Sequence, residues 1–163
     1  MGDIPQLLTL ALTSHAPKVV DADAISHLGE PERLRAQDAI ITPHEGEFTR
    51  LFGEIAGTKP ERALEAARRS GAVVVHKGGD TVVAAADGRV GFRPPAPAWL
   101  ASAGTGDVLA GTIAAMRARG LPPFEAACAG AWLQGMAAQI AGRHMIADDL
   151  ADAIPAALDL CMS

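Results

Sequence analysis

The chain has 163 residues, 49% of them hydrophobic and 20% charged, and its 14 Lys and Arg against 19 Asp and Glu leave a net charge of −5. That length suits one domain with a real core, and the acidic balance excludes the basic footprint of a nucleic-acid binder. Two cysteines without metal-ligand spacing, Cys128 and Cys161, place the chain in a reducing compartment such as the cytoplasm, as small core or interface residues, and the apolar stretch in MGDIPQLLTLALTSHAP lacks a basic start and is too short to cross a bilayer.

Leu7, Leu8 and Leu12 recur near helical spacing and predict an amphipathic first helix. Val19 and Val20 predict a buried strand that ends in Asp21 and Asp23. DAIITP (38–43) is a second short strand, stopped by Pro43, and a short helix follows around GEFTRLFG. KPERALEAARRSG reads as a helix, with Pro60 near its start, Gly71 after its end and the cations Arg68 and Arg69 suited to the dipole of its last turn. AVVVHKGG is a third strand, and DTVVAAADGRVGF is a hairpin around Asp87-Gly88. The final third is helical. Leu109, Ile113 and Met116 line one face of a helix starting near Thr105. Pro122 and Pro123 open another, rich in Ala and Gly, with Trp132, Met136 and Ile140 on a stripe. Asp148 is positioned to cap a third helix, which Pro155 should kink or break. Short β-branched runs alternating with helices indicate an α/β sheet, read as one domain over 1–163. Three core strands and a hairpin are few for this much helix, and the chain enters without a strand, so the reading is of an incomplete domain. The small-residue helix and sparse charge point to a homo-oligomer.

In open parallel sheets, ligands bind beyond the carboxyl ends of the strands. Asp21 and Asp23, TPHEGE and HKGGDT all fall there, although polar residues also simply terminate strands. AGTGDVLAG carries the sharpest signal. Gly104, Thr105 and Gly106 form a turn into a helix N-terminus, whose unpaired amides bind phosphate. Asp107 in the first turn complements the helix dipole, but that explains the aspartate and leaves the glycines without a purpose. A carboxylate beside an anion hole can take the proton of a hydroxyl attacking a phosphoryl group, so phosphoryl transfer is the better reading. Lys77, Gly78, Gly79, Asp80 and Thr81 form a second backbone nest, with Lys77 as a point charge and Thr81 as a hydroxyl donor. It is not a Walker loop. His44, Glu45 and Glu47 do not match a zinc motif, so His44 is read as a hydrogen-bonding ligand contact with no direct metal ligand in the chain. His15, His27, His76 and His144 are read as surface or satisfied core.

In this order, VVDADAIS, AIITPHEGEFTRLFG, VVVHKGGDTVVAAADGRV, AGTGDVLAGTIAAM, GLPPFEAACAGAWLQG and IADDLADAIP resemble the ribokinase-like superfamily, and within it the ADP/ATP-dependent NAD(P)H-hydrate dehydratases, over residues 19–155. The resemblance implies a three-layer α/β/α sandwich with a mostly parallel sheet, here lacking its N-terminal strands. It implies that His44 and Asp107 contact the hydrated cofactor (6S)-NAD(P)HX. Lys77 to Thr81 and Gly104 to Gly106 would hold ADP or ATP, with Mg2+ on the phosphates. Asp107 would act as base on the 6-hydroxyl, and its phosphorylation would make it a leaving group whose expulsion restores NAD(P)H. Ser26 stands where the family has asparagine. Two alternatives remain on the residues alone: a ribokinase-like kinase for a small alcohol such as a vitamin precursor, and a nucleotide-binding remnant without catalysis. No membrane or nucleic-acid partner is expected.

Overall fold

The computed structural model describes residues 3–93 and 96–161. Among them, helix α1 (Ile4–Thr13) precedes strand β1 (Lys18–Val20), helix α2 (Asp23–Leu28), strand β2 (Ala39–Ile41), and helices α3 (Glu45–Phe52) and α4 (Lys59–Ser70). Strands β3 (Val73–His76), β4 (Thr81–Ala84) and β5 (Val90–Arg93) follow, then helices α5 (Thr105–Ala118), α6 (Pro123–Ala141) and α7 (Ala147–Asp159).

The five strands form one sheet in the order β1-β2-β3-β4-β5. The β1–β2 and β2–β3 pairs are parallel, whereas β3–β4 and β4–β5 are antiparallel, so the sheet is mixed rather than mostly parallel. The reason lies in the connections: helical crossovers return the chain in parallel, while the tight turns after β3 and β4 can only reverse it. The second of those turns is the expected one at Asp87-Gly88, where Gly88 takes a φ of 100°.

Alternation along the strands divides the core into two faces. Ile40, Val73, Val75 and Val83 pack toward α5, α6 and α7. Val20, Ile41, Val74 and Val82 pack toward α1 to α4 with Leu8, Phe48 and Ala63. The result is the expected three-layer α/β/α arrangement. On the first face α5 and α6 approach closely, because Gly130 meets Ile113: a Cβ there would stand 2.5 Å from Ile113 Cγ1 and 3.2 Å from its Cα.

Two local expectations are corrected. Asp148 does not cap α7; Asp149, one residue on, accepts the Ile146 amide at 2.9 Å. Pro155 does not break that helix, which runs on to Asp159. Pro155 and Ala151 both lie on its exposed side, where water can satisfy the carbonyl that a proline leaves unpaired. On α6, Trp132 and Ile140 are exposed, and the buried side is made of small residues such as Ala126, Ala127, Ala131 and Ala138. Cys128 is half-buried and Cys161 is exposed.

Candidate active site

The parallel strands β1, β2 and β3 end on the same side of the sheet, and α5 begins there. Beside these ends lies a cavity of about 530 Å³, a size within the ~300–1,000 Å³ usual for small-molecule sites. Seven of the ten residues expected in the site line it: His44, Lys77, Gly78, Gly79, Thr81, Thr105 and Gly106. Asp80, Gly104 and Asp107 are not part of its wall.

His44 is held by the sequence that follows it. Its Nδ1 accepts the amides of Gly46 at 3.0 Å and Glu47 at 3.4 Å, and Glu47 returns a carboxylate to the His44 amide at 2.9 Å. This reciprocal cap does with imidazole what serine or threonine usually does at a helix start. Gly46 leaves room for the ring, since a Cβ there would come within 3.0 Å of His44 Cε1. Two donors on Nδ1 leave the ring proton to Nε2, which lies 3.5 Å from Glu47 Oε1 on a ring that is 59% exposed beside the cavity.

The turn 77–80 is tied from behind. Four successive carbonyls, from Lys77 to Asp80, are occupied by protein donors: Lys59 Nζ reaches Lys77 and Asp80, Arg93 Nη2 reaches Gly78, and the Ala96 amide reaches Gly79. With its carbonyls turned to the protein, the turn leaves the amides of Gly78 and Gly79 without a backbone acceptor among the described residues. That is the polarity an anion nest requires. The Asp80 carboxylate does not face the cavity; it pairs with Lys59 at 3.0 Å, and that hydrogen bond holds its pKa below the ordinary value. Thr81 is buried; its hydroxyl accepts from Arg93 Nη2 at 3.0 Å and donates to the Gly78 carbonyl at 3.5 Å, so its donor is turned to the loop itself.

Gly104 caps α5 in the left-handed region, with a φ of 81°, where a Cβ would also sit 2.9 Å from Ala147 Cβ. The Thr105 hydroxyl is spent on the carbonyls of Leu100 and Ser102 at 2.9 and 2.8 Å. The amides of Gly106 and Asp107 have no backbone acceptor among the described residues, as at any helix start. Asp107 is exposed and has no hydrogen-bond or ion-pair partner among them. Lys77 Nζ lies 3.5 Å from the place a Gly106 side chain would begin, which brings the two glycine turns and the lysine together.

Several residues of this site escape the sequence reading. Arg93 packs behind the 77–81 turn, with burial lowering its pKa and Asp80 raising it. Gln134 donates to the Thr105 carbonyl at 2.7 Å. It is the one amide in the apolar run 126–138, a signal the sequence does contain. Glu47 is 8% exposed and stands 3.9 Å from Lys77 Nζ. Among the described residues no three His, Cys, Asp or Glu gather as a metal site, and no helix is long and apolar enough to cross a membrane.

His15, His27 and His144 are exposed, whereas His76 is fully buried, stacked on Phe48 at 4.1 Å and bonded through Nε2 to Glu45 at 2.9 Å. Its Nδ1 has no partner among the described residues. Burial, together with the nearby Lys59 charge, pushes its pKa down from 6.5 to about 4. As pH falls below about 6.5 the unfolded chain therefore takes up this proton first, and stability that is fully present above that pH is lost toward pH 4. The loss amounts to about 3 kcal/mol at most. Urea unfolding at successive pH values should show this slope in the wild type and its absence in His76→Phe.

The family model that describes NAD(P)H-hydrate dehydratases of the carbohydrate-kinase type matches residues 2–157. An ADP-dependent (S)-NAD(P)H-hydrate dehydratase from Neisseria meningitidis is 41% identical over 140 residues, covering 79% of this chain and 47% of that relative. The chain thus spans about half the length of that curated relative. The ADP/ATP-dependent NAD(P)H-hydrate dehydratase from Bacillus subtilis, co-crystallised with ATP and Mg2+, superposes with a TM-score of 0.80 at 30% identity, covering 95% of this chain and 58% of that one. Ribokinase from Thermotoga maritima, at 18% identity and a TM-score of 0.66 over 94% of this chain and 52% of that one, shares the fold alone.

Proposed function

The chain belongs to the NAD(P)H-hydrate dehydratase family, and on that premise we propose that it takes part in the ADP- or ATP-dependent conversion of (6S)-NAD(P)HX back to NAD(P)H. The observation that carries this reading is the meeting of the α5 N-terminus, the Gly78–Gly79 turn and the Lys77 ammonium at one cavity, beside Asp107, which has no partner among the described residues.

The nucleotide phosphates lie against the free amides of Gly106, Gly78 and Gly79, with Lys77 as the balancing charge. Apolar lining from Leu100 and Leu109 suits the remainder of a nucleotide. Mg2+ would be held on the nucleotide phosphates, where it would offset their negative charge. The residues present fit an ion carried in that way rather than one caged by protein, since the carboxylates nearest Lys77 are already engaged. Asp107 accepts the proton of the 6-hydroxyl as its oxygen attacks the terminal phosphorus and the shortened nucleotide leaves. The His44 Nε2–H orients the hydrated nicotinamide. Phosphate then leaves with the bonding pair of the C–O bond as a proton is lost from the ring and its double bond forms. The amides at the start of α5 stabilise the charge that develops on the phosphoryl oxygens.

Residues 1–163 act in this reading as one nucleotide-binding unit in the cytoplasm. The exposed stripe of Trp132 and Ile140 on α6 supports self-association. Incubation of the chain with NADHX, Mg2+ and either ATP or ADP should restore the near-ultraviolet absorbance of reduced nicotinamide. Nucleotide turnover with a small vitamin alcohol but none with NADHX would instead place the chain among the small-molecule kinases.

A further inference from the structure

Lys77 is not free to choose its direction. Its Nζ sits 2.8 Å from Asp21 Oδ1 and 3.9 Å from Glu47 Oε2, with the lysine side chain 18% and the Asp21 side chain 11% exposed. The Asp21 carboxylate also reaches α5: its Oδ2 is 3.8 Å from the point where a Gly106 side chain would begin, on the same flank as the ammonium. An ammonium group has three donors. With one fixed on Asp21 and another drawn toward Glu47, the third remains for the cavity that Lys77 and Gly106 line together.

The backbone that aims Asp21 is strained. Ala22, which follows it and caps α2, holds φ 50° and ψ −125°, a region that alanine avoids. The turn is held there by the Asp21 carbonyl accepting the Ala24 amide and the Ala22 carbonyl accepting the amides of Ile25 and Ser26. Strain of this kind persists where the surroundings over-determine it, and it gathers at functional sites. A bare strand end would need no such turn.

We propose that Asp21 is the positioning residue of Lys77, clamping the ammonium beside the start of α5 so that one N–H is presented to the transferring phosphoryl group. This rests on the phosphoryl-transfer reading above. The clamp governs direction more than attraction. Removing a negative charge from the edge of an anion site does not weaken nucleotide binding, while a released lysine no longer meets the charge that develops in transfer.

The chain has three lysines, Lys18, Lys59 and Lys77, so lysine-labelled protein gives separable side-chain nitrogen signals in magnetic resonance. In the ligand-free wild type, slowly exchanging ammonium protons should make the Lys77 signal visible, and Asp21→Asn should erase it. Asp21→Asn should leave ATP affinity, measured by calorimetry, within about threefold of wild type and cut turnover of NADHX by about tenfold or more, at an unchanged melting midpoint. Lys77→Met should weaken ATP by about tenfold, and the double variant should bind ATP as Lys77→Met does. A Lys77 signal identical in wild type and Asp21→Asn would overturn the proposal, as would turnover, ATP affinity and melting midpoint all falling together. A wild type that binds no ATP or turns over no NADHX would instead sink the phosphoryl-transfer reading, and the lysine signal would still decide whether the clamp exists.

Discussion

Asp107→Asn should lower turnover of NAD(P)HX by about 10²–10⁴-fold, the usual worth of a general base, while ATP affinity stays within about threefold. The two side chains have the same shape, and Asp107 is exposed without a partner among the described residues, so the change breaks no packing contact and no hydrogen bond. What it does remove is the negative charge in the first turn of α5, worth about 0.3–1 kcal/mol against the helix dipole. The melting midpoint should therefore move little. A folded variant that binds nucleotide and has lost its chemistry isolates proton removal from every other part of the site. Turnover retained in Asp107→Asn would show that the proton goes elsewhere.

Gly106→Ala should separate the ligand from the fold in the opposite sense. A Cβ at this position would stand 3.5 Å from Lys77 Nζ and 3.8 Å from Asp21 Oδ2, both ordinary contacts, and Gly106 is not held at positive φ. Alanine also favours helix over glycine by about 1 kcal/mol, so stability should hold or rise. Yet the added methyl occupies the space through which a phosphate would reach the amides beside Lys77, and ATP affinity should fall about tenfold or more. Gly104 is the contrast. Its φ of 81° and the 2.9 Å approach to Ala147 Cβ mean that alanine there would disturb the cap of α5 itself. Calorimetry with ATP beside thermal melting would tell the two glycines apart. An alanine at 106 that binds ATP as the wild type does would mean that no phosphate comes close at that point.

The elements that the sequence disclosed are those whose signal is local. The helix between Pro60 and Gly71, the turn at Asp87-Gly88 and the start of α5 at Thr105 all lie where capping and turn chemistry place them. The glycine turns of the candidate site are legible for the same reason, because a nest is built from neighbouring residues. Side chains that meet across the fold are not. Lys77 and Asp21 are 56 positions apart, and nothing in VVDADAIS states that its first aspartate will hold a lysine from another strand. Arg93 looks like the polar end of a hairpin until β5 is paired beside β4, with Thr81 opposite Arg93. Thr81 is met across the same strand pair, where its hydroxyl accepts from the Arg93 guanidinium while donating to the Gly78 carbonyl. The stripe of Trp132, Met136 and Ile140 has helical spacing, but spacing does not say which face is covered, and α6 buries its small residues instead. Pro155 shows the same limit, since a proline on the wet side of a packed helix can be accommodated.

The most direct measurement is a crystal structure of the chain with Mg2+ and a non-hydrolysable ATP analogue. The terminal phosphate should lie within hydrogen-bonding reach of both the Gly106 amide and Lys77 Nζ, with Asp21 still closed on the lysine and the Asp107 carboxylate open beside the phosphate. Nucleotide bound at another surface, with the first turn of α5 bare or the Asp107 carboxylate folded away into packing, would contradict it.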